Sequence, residues 1–382
     1  MDKKRLNIVS FNVPYPADYG GVIDVFYKLK ALSENNVKII LHTFEYGRTP
    51  AAELEKYCEK VYYYKRKTGI CSQISFLPYI MYSRRNKELL SNLQENDFPI
   101  LFEGLHTCYY LNHPALENRL KVVRAHNIEH RYYAGLAANT RSFFDKLYFH
   151  LEAFRLKKQE KRLHRAGYIL PLSSLETTYF EEKYGKAKTR YIPLFFRSEE
   201  KPVLFETVKP YVLYQGDLST PENIHAAKFL IQQLVSQDPD ISWIFAGKNP
   251  DASLLKLVKK YPNVSIQGNL EENDLLRLIR EAAVTILYTN QVSGVKLKLL
   301  NALYYGQHCL ANREMVAGSG LESLCRIIPG HPEETLSLIR QCLQERLPEE
   351  EVRKRARLMN QLYNNDANAR KIIYHIYGIA DR

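Results

Sequence analysis

The sequence lacks cysteines or histidines at metal-binding spacing. Its six cysteines, Cys58, Cys71, Cys108, Cys309, Cys325 and Cys342, are scattered without a C-x-x-C pair, and its eleven histidines include no H-E-x-x-H. Structural zinc is therefore not expected, and a reducing compartment is. No apolar run comes near the roughly 20 residues that a membrane-spanning helix needs. The most tempting stretch, "ISFLPYIMY" (74–82), is short and contains Pro78. The basic start "MDKKRLNIVSFNVPYP" leads only into a strand's length of alternating apolar residues, so no signal peptide is expected. What is present is 382 residues, 45% hydrophobic, with a formal net charge of +12. That length exceeds one ordinary core and implies two domains. The charge suits an anionic partner: nucleic acid, anionic lipid or a phosphorylated small molecule. Tyrosines beside lysines, as in "VYYYKRK" (61–67), can stack bases, stack sugar rings or pack a core. No nucleic-acid motif accompanies them, so nucleic acid is not the expected partner.

The order of apolar segments is that of a parallel sheet covered by helices. "RLNIVSFNVPYP" (5–16) reads as a buried strand and a Pro-rich turn, and 17–36 as Gly-Gly followed by a helix with Val22, Val25, Phe26, Leu29 and Leu32 on one face. Strands are expected at 37–44, 61–64, 99–105, 121–127 and 167–173, with helices over most of 74–94, over 140–166 and over 174–185. The polar, proline-bearing stretch 197–210 reads as a linker. The alternation then restarts, with strands expected at 211–218, 242–250, 264–270, 284–290 and 307–312, helices between them, and a helical, charged tail. The expected domains are 1–196 and 211–361, with a last helix at about 362–382 packing back on the first.

In doubly wound sheets ligands bind beyond the carboxyl ends of the strands. Three turns there carry glycine: Gly216-Asp217, Gly247-Lys248 and Gly268-Asn269. "SGVKLKLLNALYYGQ" (293–307) reads as a helix opening on Ser293, Gly294 and Val295 and stopping at Gly306. A helix N-terminus exposes unpaired N–H groups and partial positive charge, and glycine lets a phosphate approach them. Lys296 and Lys298 add charge but are two apart and cannot share a face; Lys298 is the favoured ligand. The plainer reading leaves both lysines solvated and buries Leu297, Leu300 and Tyr304.

These stretches, in order, resemble the GT-B glycosyltransferases, most of all the retaining bacterial polysaccharide type, glycosyltransferase family 4. "PYPADYGG" (14–21) is similar to its N-terminal glycine loop, "RAHNIEHRYY" (124–133) to a strand-end motif with a histidine near the donor sugar, and "LSSLETTYFEEKYGKAKTRYIPLFF" (172–196) to the passage before the linker. "LYQGDLSTPENIHAAKFL" (213–230) resembles the opening of the donor domain, and 293–312 stands in the place of an E-x7-E motif. The resemblance implies two Rossmann-like α/β domains facing across a cleft. It implies a UDP- or GDP-linked sugar donor held by Gly20, Gly21, Gly216, Asp217, Gly247, Lys248, Gly268, Asn269, Ser293, Gly294, Val295 and Asn301. His126 and Lys298 would be catalytic, and Glu103 and Asn127 would face the acceptor. No metal and no bound cofactor are expected, since the diphosphate itself can take the acceptor's proton and no Asp-x-Asp is present.

The sequence departs from the family at its two carboxylates, which fall on Ser293 and Asn301. An amide offers a ribose diol one acceptor and one donor group where a carboxylate accepts twice, so weaker donor binding is expected. The basic stretch 141–165 mixes Phe143, Phe144, Leu147, Phe149, Leu151 and Phe154 with lysines and arginines. That composition suits contact with an anionic membrane beside a lipid-linked acceptor; a packed connecting helix with one solvated basic face is the plainer reading. The leading expectation is a cytoplasmic transferase, peripheral at the inner face of the membrane, that sugars a glycan or lipid-linked acceptor of a bacterial surface polysaccharide. The alternatives are a catalytically degenerate GT-B scaffold and an acceptor-free GT-B epimerase.

Overall fold

A computed structural model describes residues 4–140, 142–197 and 207–378. The chain divides into two compact units. One takes the chain up to Ala137, resumes at Phe144 and runs to the linker, and includes the last helix from Tyr363. The other runs from the linker to Leu362 and takes in Ala138–Phe143.

The first unit holds a parallel sheet of strands β1 (Arg5–Ser10), β2 (Lys38–Glu45), β3 (Lys60–Lys65), β4 (Ile100–Glu103), β5 (Lys121–Ala125) and β6 (Tyr168–Pro171) in the order β3-β2-β1-β4-β5-β6. Its strands are apolar on both faces because helices cover both. Helix Gly20–Glu34 buries Val22, Val25, Leu29 and Leu32 against one face. Helix Asn365–Tyr377 packs beside it through Ile372, Ile373 and Ile376. Asn364 caps its start by accepting from the Ala367 N–H, and Gly378 ends it in the left-handed region. Asn365 bonds both the N–H and the carbonyl of Phe196, fastening this helix to the last described segment of the first half.

The second unit repeats the design with β7 (Lys209–Gln215), β8 (Ser242–Gly247), β9 (Val264–Gly268), β10 (Ala282–Leu287), β11 (His308–Ala311) and β12 (Arg326–Ile327), ordered β12-β11-β10-β7-β8-β9. Read in reverse, this is the order of the first sheet. Each therefore has its topological switch point between its first and fourth strands, where a ligand crevice forms.

Several sequence expectations need correction. The helix expected over 74–94 is broken into Tyr79–Tyr82 and Lys87–Gln94. Asn86 takes extended backbone and caps the second piece by accepting from the Glu88 and Leu89 N–H groups, which stops one helix and starts the next. Helix Glu129–Asn139 and the two-residue strand β12 have no counterpart in the sequence reading. Most of the expected linker, 198–206, lies outside the described residues, and β7 begins inside its last two positions. Helix Phe143–Glu160 reverses the packed-connector reading. Its buried residues are Glu152, Leu156 and Glu160, while Phe143, Phe144, Leu147, Leu151 and Phe154 are exposed. Glu152 is drawn inward because it accepts the Tyr79 N–H at 2.7 Å and Arg155 Nη1 at 2.8 Å. Glu160 is drawn inward by His130 Nδ1 and the Tyr179 hydroxyl.

Candidate active site

In the first unit the switch point is built on buried charge. Asp24 and Lys28 lie one turn apart on helix Gly20–Glu34 and are fully buried, as are Glu103 at the end of β4 and Arg124 on β5. The Lys28 ammonium is 2.8 Å from Asp24 Oδ2 and 2.8 and 2.9 Å from the two oxygens of Glu103. The Arg124 guanidinium pairs with both Asp24 oxygens, at 2.9 and 3.1 Å, and donates to the carbonyls of Ile192 and Pro193. Asp24 also accepts the Phe195 N–H. Two anions thus meet two cations with no net charge left to desolvate. Burial pushes the Asp24 carboxyl up, but Arg124 and Lys28 outweigh it and hold it well below the usual range. Burial likewise raises Glu103, and Lys28 with His126 overrides it, leaving it lowered.

His126, just past β5, donates from Nε2 to Glu103 Oε2 at 3.0 Å. An ionised Glu103 can only accept, so the ring nitrogen facing it carries a proton. Glu103 was expected to face an acceptor. Its carboxylate is instead enclosed and spent on Lys28 and His126, so it positions the histidine. Phe11 stands edge-on to His126 with centroids 5.6 Å apart. Gly20 and Gly21 open the helix beneath, and a Cβ on Gly21 would lie 2.5 Å from the Phe11 ring, so that glycine is there for packing. Asn127 is half-buried beside it. Ligand atoms of Asp24, Glu103 and His126 lie within 4.8 Å of one another, as a metal site would require. The Lys28 ammonium already sits between the two carboxylates, and a metal ion would have to displace it.

In the second unit the expected helix begins later than the sequence suggested. It spans Leu297–Tyr305, with Lys296 as its N-cap in extended backbone. Ser293, Gly294 and Val295 form the turn before it, with Gly294 at φ 73°. Lys296 Nζ folds back to the carbonyls of Ser293 and Gly294 at 2.6 and 2.9 Å. Lys298, on the helix's first turn, points elsewhere. Its Nζ donates to Asn223 Oδ1 at 2.8 Å and lies over the Tyr214 ring, 5.4 Å from the centroid. Burial pushes its ammonium down to about 8, against the pull of Glu222. Asn223 belongs to helix Pro221–Gln233 and also packs on Gly216, where a Cβ would meet its side chain at 3.0 Å. Gly216, Asn223 and Lys298 therefore converge at the end of β7.

The neighbouring turns follow the same edge. A Cβ on Gly247 would fall 1.7 Å from the Gly216 carbonyl oxygen, so only glycine fits there. Asn269, at φ 54°, donates its N–H to the Gly247 carbonyl and accepts the Asn249 N–H. Gly268 packs on Pro250. The Asp217 carboxylate is used on its own turn, accepting from Ser219 N and Oγ at 3.0 and 2.6 Å. Lys248 is exposed, and Asn301 is half-buried one turn after Lys298. The structure thus brings Gly216, Gly247, Gly268, Asn269 and Lys298 to one sheet edge, and Glu103 and, through Phe11, Gly21 to His126. Sequence reasoning missed Asp24, Lys28, Arg124 and Asn223. An Asp–Lys pair four apart on a helix ordinarily reads as a solvated surface pair.

This fold is that of the GT-B glycosyltransferases. No protein-family model matches the chain. The chain is similar over nearly its whole length to solved structures of that architecture. Sucrose-phosphate synthase from Thermosynechococcus elongatus aligns with a TM-score of 0.69 at 16% identity, covering 97% of each chain. Anabaena Alr3699/HepE, crystallised in complex with UDP and glucose, aligns with a TM-score of 0.64 at 14% identity, over 98% of this chain and 100% of that one. Staphylococcus aureus TarM aligns with a TM-score of 0.66 at 11% identity, over 99% and 100%. Among curated proteins, a Klebsiella pneumoniae chain named "Uncharacterized 44.6 kDa protein in cps region" is 25% identical over 317 residues, 78% of this chain and 80% of that one.

Removing one partner of a buried ion pair leaves an uncompensated charge and costs about 3–5 kcal/mol. Lys28→Met is expected to lower the unfolding free energy in urea by about that amount. A loss below about 1 kcal/mol, the scale of an exposed pair, would mean that the pair is not buried in solution.

Proposed function

We propose that the chain is a retaining glycosyltransferase of the family 4 type, moving a hexosyl group from a UDP- or GDP-linked donor to a hydroxyl of a glycan or lipid-linked acceptor. The observation that carries this reading is the placement of Lys298 and Asn223 against Gly216, at the switch point of a fold shared with proteins crystallised with UDP. Transfer requires that the negative charge growing on the leaving diphosphate be stabilised by groups already in place. The Lys298 ammonium donates once to Asn223, which leaves two N–H groups for phosphate oxygens. The N–H groups that open helix Leu297–Tyr305 add partial positive charge to the same place. A protein cation in that position supports a scheme without metal. Asn301 would hold the ribose with a neutral amide, and the backbone around Gly268 and Asn269 would read the base. His126, fixed by Glu103, would present Nδ1 to the reacting sugar. Retention follows if the acceptor hydroxyl attacks on the leaving group's side and passes its proton to the departing diphosphate oxygen.

The relative's name, with its cps region, supports a role in surface polysaccharide synthesis. The five described cysteines are free thiols, which supports a cytoplasmic site of action. No described helix is long and apolar enough to cross a membrane. Contact with an anionic membrane is supported by helix Phe143–Glu160, where Phe144 is 81% and Phe154 68% exposed beside exposed Lys146, Lys157 and Lys158.

Calorimetric titration with UDP, GDP, ADP and CMP tests the donor site. One nucleotide should bind, and Lys298→Ala should weaken it roughly 10- to 100-fold, as loss of a hydrogen bond to a charged group does. Because Lys298 is charged below about 8 and loses its proton above it, affinity should fall as pH rises from 7 to 9. An affinity indifferent to both changes would remove Lys298 from the site, and no binding by any nucleotide would favour the degenerate scaffold. Sedimentation with vesicles tests the membrane reading. Phosphatidylserine vesicles should carry the protein down and neutral ones should not, and a Phe144→Ser/Phe154→Ser variant should remain in solution. Equal behaviour of both lipids and both proteins would refute it.

A further inference from the structure

The first unit contains a cavity of about 360 Å³ that the charge network and His126 do not use. It is walled by rings, Tyr46, Tyr79 and Tyr148 among them, and two arginines, Arg66 and Arg84, line it. Arg84 sits in the break between helices Tyr79–Tyr82 and Lys87–Gln94 and is only 4% exposed. Its Nε donates to the Phe11 carbonyl at 2.8 Å and its Nη1 to the Ile80 carbonyl at 2.5 Å. Neither partner carries charge, and Nη2 has no protein partner among the described residues. Arg66 is pinned by Nε to Ser83 Oγ at 2.9 Å and lies over the rings of Tyr46 and Tyr79, 4.3 and 4.8 Å from their centroids. It too pairs with no carboxylate among the described residues. None of the residues lining the cavity is acidic. The nearby Glu129 does not supply the missing charge: burial pushes its carboxyl up to about 8, so it is neutral at pH 7.

Buried cations are ordinarily paired, because desolvating them is costly. Here two guanidiniums line one cavity with no anion paired to either among the described residues, and burial, with Arg66 adding to it, pushes the Arg84 guanidinium down to about 9. The contrast with Asp24, Lys28, Glu103 and Arg124 in the same unit is direct: there every cation has its carboxylate. Guanidinium is the side chain best matched to carboxylate and phosphate, which it binds through parallel N–H groups. Rings around a few placed polar groups make a small-molecule pocket.

We propose that this cavity holds an anionic sugar of the acceptor, its ring against Tyr46, Tyr79 and Tyr148 and its carboxylate or phosphate on Arg66 and Arg84. The assignment rests on the reading of the chain as a glycosyltransferase and adds the charge of the acceptor to it. It predicts binding of uronate or sugar phosphate in preference to neutral sugar, independently of any nucleotide.

The test is saturation-transfer NMR on the full chain with glucuronate, glucose 6-phosphate, glucose and inorganic phosphate, beside a UDP titration of the same samples. At least one anionic sugar should bind at least tenfold more tightly than both glucose and inorganic phosphate. Which of the two does so distinguishes carboxylate from phosphate. Arg66→Met, a half-buried position whose loss breaks a single side-chain hydrogen bond, should remove that preference and leave UDP affinity unchanged. Arg84→Lys, which keeps the charge and loses the fork, should weaken the anionic sugar without abolishing it. Glucose binding as tightly as the anionic sugars would overturn the charge assignment, and inorganic phosphate doing so would overturn the sugar. Anionic-sugar binding that survives Arg66→Met would place it outside this cavity and overturn the proposal. Failure of UDP alone would count against the donor site and leave this cavity standing.

Discussion

The contact on which the first unit depends is the ammonium of Lys28 held between Asp24 and Glu103. It joins helix Gly20–Glu34 to the end of β4. Through Asp24 it reaches Arg124 on β5, and through Arg124 the carbonyls of Ile192 and Pro193. Through Glu103 it fixes the direction of His126. Four elements distant in sequence are thus tied at the switch point of one sheet. An apolar core would supply as much stability, but it would not orient an imidazole.

At the switch point of the second unit the described residues form no buried ion pair, and glycine contacts and one amide set the geometry instead. Tight contact between Gly216 and Gly247 sets the ends of β7 and β8, and Asn223 bridges that edge to Lys298. The lysine is desolvated enough that its charge is available but lightly held. Ser293 lies in the turn before helix Leu297–Tyr305 and Asn301 is half-buried one turn after Lys298, and both side chains are neutral.

The strands were legible in the sequence because both sheets are buried on two sides, so each strand is a short apolar run between turn residues. The glycine turns of the second unit were legible for the same reason, and Gly216, Gly247 and Lys298 do share one edge. The charge network was not legible. Asp24 and Lys28 have the spacing of a surface pair, and their partners lie 75 and 100 residues away. The preference for Lys298 over Lys296 was legible on the ground that Lys296 belongs to the turn, and Lys296 is the extended N-cap of helix Leu297–Tyr305 although its helix propensity is good. Helix Phe143–Glu160 misled most, since Glu152 and Glu160 turn inward to meet hydrogen-bond donors while phenylalanines face outward. Periodicity reads hydrophobicity and cannot anticipate which carboxylate will find a buried donor.

The central claim is that a nucleoside diphosphate sits at the start of helix Leu297–Tyr305, held by Lys298. A crystal structure of the protein with UDP tests it most directly. The expected result is a diphosphate within hydrogen-bond distance of Lys298 Nζ and of the first N–H groups of that helix, beside Gly216. A diphosphate bound elsewhere, with Lys298 still held only by Asn223, would contradict the account.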